Sequence, residues 1–368
     1  MKSCGRVIID LAAVVSNWQL MKHTVGEWCE VSAVIKDDAY GLGAKPIAEA
    51  LYAAGCKTFF FITPEEALDA LSGLPQDVIA IILGGVRVGN EALYRDNNLI
   101  PVIHSFETLY RWLDQIDKQG TRPIALKFDT GMSRLGFSID EIPRLMNEYH
   151  HLNPFYILSH LACADSPSHE LNEKQLNCFS QIKQSLASLF TTAKYSLANS
   201  SGIFLGANWH FDLVRPGAGL YGIAPNNQNL HCFKNAVSIE LPILQVKQFP
   251  TEVSVGYGST STVAPNSVLG VIAGGYADGL NRVVGREAKA ICNGYEITSV
   301  GRMSMDSMVF DLSNIPSFAQ PKPGDYIRLV DSDTLTLNYW MKQTNSLGYE
   351  ILTALGSRLE RVYINSDV

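Results

Sequence analysis

Residues 31–43 read VSAVIKDDAYGLG, a short apolar run that ends on a lysine and passes into a loop with two glycines. Residues 31–35 are apolar except for Ser32, which is typical of a buried strand in a parallel sheet. A helical pattern follows at once, over residues 44–54. The stretch therefore predicts a strand, a loop and a helix, with Lys36 at the carboxyl end of the strand.

The same order of strand and helix recurs along roughly the first 230 residues, which indicates an α/β fold. Right-handed connections between such units make the strands parallel. About eight units in this length predict a closed (β/α)8 TIM barrel rather than an open sheet. The predicted strands are residues 31–35, 58–62, 78–83, 99–103, 123–128, 155–158, 194–197 and 211–214. The predicted helices are residues 44–54, 64–71, 105–118, 139–148 and 170–189.

The pattern changes after Pro225, where residues 226–229 form a polar break. Beyond it, short apolar runs and turn signals predict a mainly β domain. We expect residues 1–232 to form the barrel and residues 233–368 the β-rich C-terminal domain. A separate helix over residues 10–23, with Asp10 as its N-cap, is expected ahead of the barrel. The predicted strands of the second domain are residues 237–246, 267–273, 288–292, 307–311 and 326–329, with a helix near residues 335–344.

Composition argues against several classes of protein. Hydrophobic residues make up 46% and charged residues 18% of the chain, which is a globular balance. The net charge of -7 argues against nucleic acid as a partner. No apolar run reaches the roughly 18 residues of a membrane span and no signal peptide is indicated, so we expect a cytoplasmic protein. The seven cysteines are scattered without a CxxC pair, which indicates neither a metal site nor a disulfide framework.

Charged and polar residues follow the predicted strands, at the end of a TIM barrel that carries catalytic groups. Taken alone, Lys36 is better explained as a strand-end lysine that reaches water than as a nucleophile. Glycine-rich loops after the seventh and eighth strands are where such barrels bind phosphate. A lysine for a Schiff base, a phosphate cradle and an arginine for a ring nitrogen together indicate pyridoxal 5'-phosphate (PLP) chemistry. The loops contain Lys36, Tyr40, Lys127, Arg134, His160, Asp165, Asn199, Ser200, Arg215, Gly217 and Ala218.

Five ordered motifs resemble those of the alanine racemases, and the resemblance covers essentially the whole chain. Residues 33–43 (AVIKDDAYGLG) are similar to the PLP-lysine signature of that family, and residues 128–136 (FDTGMSRLG) to its second signature. Three further stretches resemble motifs of the family's β domain: VGYG at 255–258, GYADG at 275–279 and VGRMSMD at 300–306. The resemblance implies a fold-type III, PLP-dependent isomerase that interconverts L- and D-alanine and supplies D-alanine for peptidoglycan of the cell wall.

The resemblance also implies a role for each matching residue. Lys36 would bind PLP covalently and act as the base on one face of the substrate. Tyr257, donated by the second subunit of a homodimer, would act on the other face. Arg215 would hydrogen-bond the pyridine nitrogen, and because a cation cannot take a proton from the ring, transamination would be suppressed.

The remaining implied contacts surround these groups. Arg134 and the backbone of Met305 would hold the substrate carboxylate, and Lys127 is carbamylated in some members, which would orient Arg134. The cofactor would be bound by Tyr40, His160, Asn199, Ser200, Gly217 and Ala218. The substrate entrance and its surroundings would be formed by Asp165, Tyr276, Arg282, Arg302 and Asp306.

A tyrosine base needs neighbouring cations, because the phenol of tyrosine has an ordinary pKa of about 10. The family places a histidine between the arginine and the tyrosine, and His160 is the matching residue here. The implied relay runs from Arg215 through His160 to Tyr257. The alternative is a barrel-mouth histidine whose ring is satisfied by backbone groups.

The chain departs from the family pattern at several positions around the site. Asp37-Asp38 replaces Asn-Ala after the lysine, and Leu42 replaces a histidine. Serines also stand where many members of the family have other residues. We expect these departures to affect the surroundings of the site and its affinity for phosphate, but not the reaction. These serines are Ser196, Ser304 and Ser357.

Three other functions are alternatives to alanine racemisation. A racemase for serine or another small amino acid would differ in the size of its substrate pocket, which a few side chains set. A non-catalytic PLP-binding homeostasis protein would share the barrel and its lysine, but it would lack the second domain with Tyr257 and Met305. A decarboxylase of the same architecture would carry a Cys-Asp-Gly type catalytic loop, which this sequence does not contain.

Overall fold

The computed structural model of the protein describes residues 5–226, 229, 232–281, 287–331 and 333–365. Arg282, which the resemblance places at the substrate entrance, lies outside the described residues. In the described part of the chain, no helix is both long and apolar enough to cross a membrane. The elements below are numbered in chain order.

Residues up to 223 contain the elements of the barrel and the segment ahead of it. The strands are β1 Gly5–Asp10, β2 Glu30–Val31, β3 Ala33–Val34, β4 Thr58–Phe61, β5 Ile79–Ile82, β6 Leu99–Ile103, β7 Ile124–Lys127, β8 Pro154–Leu158, β9 Lys194–Ser196 and β10 Leu213–Val214. The helices are α1 Leu11–Val25, α2 Lys36–Gly41, α3 Ala44–Ala53, α4 Pro64–Ala70, α5 Glu91–Asp96, α6 Phe106–Gln115, α7 Ile142–Glu148, α8 Glu170–Leu186 and α9 Ser200–Ile203.

The strands form the parallel barrel that the sequence predicts. Strands β3 to β9 pair in chain order, and β10 pairs with β2. Ser32 joins β2 to β3 without leaving the barrel wall, because its N–H donates to the carbonyl of Val214 at 3.1 Å. Between β9 and β10, the barrel wall is connected by the Arg215 N–H, which donates to the carbonyl of Ala198 at 2.9 Å. The predicted strand at 211–214 is shorter than expected, because Phe211 has a φ of 52° and breaks the extended conformation.

Alternation along the strands separates the interior of the barrel from its outer layer. Phe60, Ile81, Val102 and Tyr156 belong to the apolar cluster inside the barrel. Phe59 and Phe61, on either side of Phe60, belong to the larger cluster that includes the surrounding helices. Side chains of a strand point to opposite faces in turn, so buried strands show continuous apolar runs in the sequence.

Local signals fix where several helices begin. The Asp10 carboxylate accepts hydrogen bonds from Ala12 and Ala13 and caps α1, as predicted. The Ser105 hydroxyl caps α6 in a capping box with Thr108. The predicted helix over 139–148 is instead a 3-10 turn, Ile139–Glu141, followed by α7.

The remaining described residues form the predicted β-rich part. The strands are β11 Val237–Phe249, β12 Val253–Val255, β13 Ser261–Val263, β14 Ser267–Ala273, β15 Lys289–Cys292, β16 Tyr295–Ser299, β17 Ser307–Asp311, β18 Tyr326–Val330 and β19 Leu359–Ile364, and the helices are α10 Leu337–Thr344 and α11 Gly348–Ala354. Eight strands form one sheet in the order β14-β17-β16-β15-β18-β11-β1-β19, as far as the described residues show.

The first strand of the chain belongs to this second sheet. β1 pairs antiparallel with β11 and parallel with β19, so the first and last described strands are neighbours in this sheet. The division of the chain between residues 232 and 233 stays a prediction. The pairing of β1 shows that the segment ahead of α1 contributes its backbone to the C-terminal sheet.

Candidate active site

Lys36 lies where the first barrel strand ends, at the start of a turn with unusual handedness. The four residues after it, Asp37 to Tyr40, have φ angles of 54°, 52°, 54° and 61° and therefore form a left-handed helical turn. Such a turn costs roughly 1–2 kcal/mol per residue for L-amino acids, so surrounding contacts must stabilise it. The Glu66 carboxylate provides one, since it accepts the N–H groups of Ile62 at 3.1 Å and Asp37 at 3.4 Å.

The C-terminal strand β19 holds the other end of this turn. The Arg361 Nε donates to the carbonyl of Gly41 at 3.0 Å, and the Tyr363 hydroxyl donates to the carbonyl of Leu42 at 2.9 Å. A Cβ at Gly43 would lie 1.9 Å from the Tyr363 hydroxyl oxygen, so only glycine fits there. The loop that carries Lys36 is therefore fixed from both sides.

The loops after β9 and β10 form a small cradle beside Tyr40. The Ser200 hydroxyl accepts the N–H groups of Gly217 at 3.0 Å and Gly219 at 3.1 Å. A Cβ at Gly217 would lie 2.3 Å from the Tyr40 hydroxyl oxygen, so the phenol lies directly against this backbone. Burial raises the pKa of Tyr40 above its ordinary value, and the phenol remains a hydrogen-bond donor.

The chemistry of this cradle fits a phosphate group. It combines two hydroxyl groups with the backbone of Gly217 and Ala218, and Asn199 caps the short helix α9 that carries Ser200. Hydroxyl and backbone N–H groups are the donors that bind a phosphate at the mouth of such barrels. Together with the amine of Lys36, the donor set fits an aldehyde cofactor with a phosphate arm.

Arg215 is buried behind the cradle and is held by barrel-mouth groups. Its guanidinium donates to the Ser196 hydroxyl, to the carbonyl of Ser159 and, at 3.3 Å, to the carbonyl of Leu197. Ser196, one of the departures from the family pattern, thus contacts Arg215 directly and donates its own proton to the Leu213 carbonyl at 2.6 Å. Burial lowers the pKa of Arg215 to about 10, so the side chain remains a cation at neutral pH.

Lys127 ends strand β7 and lies among positive charges. Burial, followed by the charges of Arg134 and Arg215, lowers the pKa of Lys127 to about 8. The amine is therefore partly neutral near neutral pH, unlike an ordinary surface lysine. A neutral amine can act as a nucleophile, whereas an ammonium group cannot.

Asp129 folds the loop that presents Arg134. Its carboxylate accepts the N–H groups of Gly131, Met132 and Ser133 at 2.9, 2.9 and 3.1 Å, and that of Arg134 at 2.9 Å. Burial raises the pKa of Asp129, but these backbone bonds outweigh it and lower the pKa below its ordinary value. The carboxylate stays ionised at neutral pH and keeps the loop closed around it, with the Arg134 side chain exposed.

His160 follows strand β8 at the same mouth. Burial, and then the charge of Arg215, lower the pKa of His160 to about 3. Its ring is therefore neutral at neutral pH, with one nitrogen donating and the other accepting. Asp165, further along this loop, is exposed, and its negative charge contributes after burial to raising the pKa of Tyr349.

The second set of predicted residues comes together in the turns and loops that follow β12, β14 and β16. A Cβ at Gly256 would lie 3.1 Å from the backbone nitrogen of Arg302, so the turn that contains Tyr257 contacts the loop after β16. The Ala277 N–H donates to the carbonyl of Met305 at 3.0 Å, which joins the Tyr276 turn to the same loop. Tyr257 is 70% exposed, Met305 53% and Tyr276 43%.

The two sets are not joined within one chain by any hydrogen bond, ion pair or ring contact that the described residues make. The first lies at the barrel mouth around Lys36, and the second lies around Tyr257.

Three residues with clear positions in the site were missed by sequence reasoning. Gln175 is fully buried under the loops of His160 and Arg134, and Ser159 accepts a hydrogen bond from Arg215. Arg358 bridges two acids of the second set: its Nε lies 2.8 Å from Asp278, and its Nη1 lies 2.7 Å from Asp306. Asp306 therefore has an ion-pair partner that its motif alone does not reveal.

Known sequences and structures resemble the chain along almost its whole length. Residues 9–225 match the family of alanine racemase N-terminal domains, and residues 236–363 match the family of its C-terminal domains. The alanine racemase of Rhodospirillum rubrum is 39% identical over 98% of this chain and 96% of its own length. The biosynthetic alanine racemase of Agrobacterium fabrum is 36% identical over 98% and 94%. The alanine racemase of Bartonella henselae, crystallised with covalently bound pyridoxal phosphate, has a TM-score of 0.89 at 36% identity, over 98% of this chain and 100% of that one.

Proposed function

This chain belongs to the alanine racemase family and is a PLP-dependent isomerase that interconverts L- and D-alanine, and we propose that it does so with Lys36 and Tyr257 as its two bases. The observation that supports this best is the arrangement at the barrel mouth. Lys36, at the end of the first barrel strand, shares a loop with Tyr40, and the Tyr40 phenol lies against the backbone of Gly217 in the cradle. Tyr257, which is 70% exposed, would supply the second base.

The barrel mouth contains the groups that would hold the cofactor. Lys36 would bind it covalently, and the phosphate would take hydrogen bonds from Tyr40, Ser200 and the backbone N–H of Ala218. The N–H of Gly217 donates to the Ser200 hydroxyl at 3.0 Å and so orients that group. PLP, when bound, supplies the electron sink that makes the α-proton of an amino acid removable. The protein residues then decide which proton moves and to which face.

Arg215 would contact the pyridine nitrogen and limit the strength of that electron sink. A guanidinium has only donors, so it can hydrogen-bond the ring nitrogen but cannot give it a full proton at neutral pH. The three hydrogen bonds to Ser159, Ser196 and Leu197 fix its orientation. This arrangement favours return of the α-proton over transamination.

Two bases on opposite faces account for inversion at the α-carbon. Lys36 would remove or return a proton at its Nζ on one face, and Tyr257 would do so at its hydroxyl oxygen on the other. Arg134 and the backbone of Met305 would hold the substrate carboxylate between them. Because the set around Tyr257 is exposed in one chain, we propose a homodimer in which each barrel mouth faces the partner's C-terminal sheet.

His160 would connect Arg215 to the partner's phenol as a neutral relay. With a pKa of about 3, its imidazole takes no proton in the working range. A neutral ring can accept from the arginine side and donate towards the tyrosine, which would stabilise the phenolate form of the base. The positive charge of this relay therefore lies on Arg215.

Lys127 is expected to react with carbon dioxide and become a carbamate. The neutral amine forms the N–C bond and releases a proton to water, which turns a cation beside Arg134 into an anion. Since the pKa of Lys127 is lowered to about 8, the neutral fraction grows as the pH rises through 8. With ¹³C-bicarbonate we expect a protein-bound carbamate resonance that strengthens between about pH 7 and pH 9.

Lys127→Ala should abolish that resonance and reduce kcat/KM by roughly 10–100-fold, because Arg134 loses the anion that orients it. Lys57→Ala serves as the control, since Lys57 is an exposed lysine paired with Asp77 at 2.8 Å. It should leave both the resonance and the rate unchanged. An unmodified Lys127 across this pH range would contradict the carbamate.

The cellular role we propose is the supply of D-alanine for peptidoglycan, in the cytoplasm where alanine is available. A racemase for serine is the alternative within the same chemistry. The deciding experiment measures the visible spectrum of the PLP-loaded protein and then follows L-alanine and L-serine by a chiral assay. We expect a yellow protein that forms D-alanine, with D-serine at least about tenfold slower. Faster turnover of serine would favour the alternative, and no racemisation of either would refute the function.

A further inference from the structure

Gln175, in the second turn of α8, is a buried amide whose polar atoms all have partners. It is 0% exposed. Its Nε2 donates to the carbonyl of His160 at 2.9 Å and to the Thr130 hydroxyl at 3.1 Å, and its Oε1 accepts the Ala162 N–H at 2.8 Å. Buried polar side chains are costly unless they are satisfied in this way.

These bonds join the two barrel-mouth loops on which the site depends. His160 and Ala162 belong to the loop after β8, whereas Thr130 belongs to the loop after β7 that Asp129 folds around Arg134. The loop after β7 also packs on the helix, since a Cβ at Gly131 would lie 3.6 Å from the Cγ of Gln175. One side chain therefore sets the position of both loops relative to the helix.

The contacts continue from Gln175 to Arg215. The hydroxyls of Thr130 and Ser159 are 2.8 Å apart, and both residues are buried. The carbonyl of Ser159 accepts a hydrogen bond from the Arg215 guanidinium. A displacement of Thr130 would thus reach Arg215 through Ser159, and a displacement of the His160 backbone would reach the imidazole directly.

We propose that Gln175 is a positioning residue for racemisation, which holds His160, Arg215 and the Arg134 loop in register with one another. This role rests on the proposed function, in which those three groups contact the cofactor, the substrate or the second base. The Gln175 side chain acts on these groups through its hydrogen bonds to the Thr130 hydroxyl and the His160 carbonyl. Its removal would alter the environment of bound PLP rather than its covalent attachment to Lys36.

Gln175→Met tests the proposal, because methionine nearly matches the shape of glutamine and lacks the hydrogen bonds. We expect the Kd for PLP to rise about tenfold, the equivalent of one lost hydrogen bond. The visible circular dichroism band of bound PLP should lose much of its amplitude, because it depends on how the pocket orients the ring. The kcat should fall by roughly 10–100-fold with a smaller change in KM.

Asn172→Leu provides the matched control, one turn earlier on the same helix. Asn172 is 1% exposed, and its amide donates to the carbonyls of Cys163 at 3.2 Å and Ser166 at 3.0 Å, further along the loop after β8. Among the described residues it makes no hydrogen bond to Thr130 or to His160. Both variants lose a buried amide and should lower the Tm, but only Gln175→Met should change the dichroism and the Kd for PLP. Gln175→Glu keeps the acceptor for the Ala162 N–H and removes the two N–H donors. It should therefore show the same change in dichroism, and it replaces Gln175→Met in the experiment if the methionine variant does not fold.

The outcomes separate this proposal from the proposed function. A lower Tm with unchanged dichroism and PLP affinity in both Gln175 variants would overturn the positioning role and leave a structural one. The same spectral change in Asn172→Leu would overturn it as well, because general loosening of α8 would then explain the effect. Wild-type protein assayed alongside reports on racemisation itself, so a failure of that function is seen independently of the Gln175 result.

Discussion

Replacing Lys36 by alanine is expected to lower kcat/KM for racemisation by at least about 10⁴-fold in both directions, because the covalent cofactor link and one base are lost together. In the wild-type protein, borohydride should fix PLP on the peptide that contains Lys36. In Lys36→Ala, the same treatment should leave that peptide unlabelled, and the visible absorbance of the protein should shift. Peptide mapping by mass spectrometry checks both statements.

The control for this experiment is a lysine at the other end of the barrel. Lys57 precedes β4, forms an exposed ion pair with Asp77 and takes no part in the proposed site. Lys57→Ala should keep full activity and full labelling of Lys36. If borohydride labelled another lysine, or if Lys36→Ala stayed active, the assignment of Lys36 would be wrong.

Changing Tyr257 to phenylalanine is expected to remove proton transfer on one face only. Racemisation should fall by roughly 10²–10⁴-fold, the range for loss of a positioned acid or base. Removal of the α-proton from L-alanine should be lost, while removal from D-alanine by Lys36 should continue. Single-turnover exchange in deuterium oxide, measured separately on each enantiomer, distinguishes the two steps.

Tyr326→Phe is the matched control, because Tyr326 is a partly exposed tyrosine on β18 that lies under the Arg6 guanidinium. It loses the same hydroxyl group outside the proposed site and should exchange both enantiomers at the wild-type rate. Equal losses for L- and D-alanine in Tyr257→Phe would contradict a tyrosine dedicated to one face.

Much of the barrel could be predicted from the sequence because its order is local. Buried parallel strands produce apolar runs, and each run is followed by the helix that covers it. The residues that end those runs, such as Lys36, Lys127 and Arg215, consequently lie at one mouth. Their assembly follows from the fold once the strands are known.

The turn after Lys36 could not be predicted in the same way. Residues 37–40 contain no glycine, and the propensities of L-amino acids favour right-handed geometry. The left-handed turn exists because Glu66, Arg361 and Tyr363 hold its backbone from distant parts of the chain. Contacts of this kind leave no periodic signal in the sequence.

The same reason accounts for the strand and the polar residues that were missed. β1 is a short apolar run whose partners, β11 and β19, lie in the second half of the chain. Gln175 lies on a helix whose polar residues are mostly exposed, and only the structure shows that it faces the loops. Ser196 is a departure from the family motif in the sequence, but in the structure it is a hydrogen-bond partner of Arg215.

We propose that one active site combines Lys36 of one subunit with Tyr257 of its partner. Mixing inactive Lys36→Ala with inactive Tyr257→Phe and allowing subunits to exchange tests it directly. In each mixed dimer, one site carries both substitutions and the other carries neither. Random exchange makes about half of the dimers mixed, each with one intact site of two, so about a quarter of wild-type activity should return.

The exchange itself is verified by native mass spectrometry of dimers with one tagged subunit, and each variant alone provides the baseline rate. Recovery of about a quarter of wild-type activity in the exchanged mixture is the result that the shared site predicts. If both residues came from the same chain, every site would keep one substitution. No recovery after verified exchange would therefore contradict the shared site.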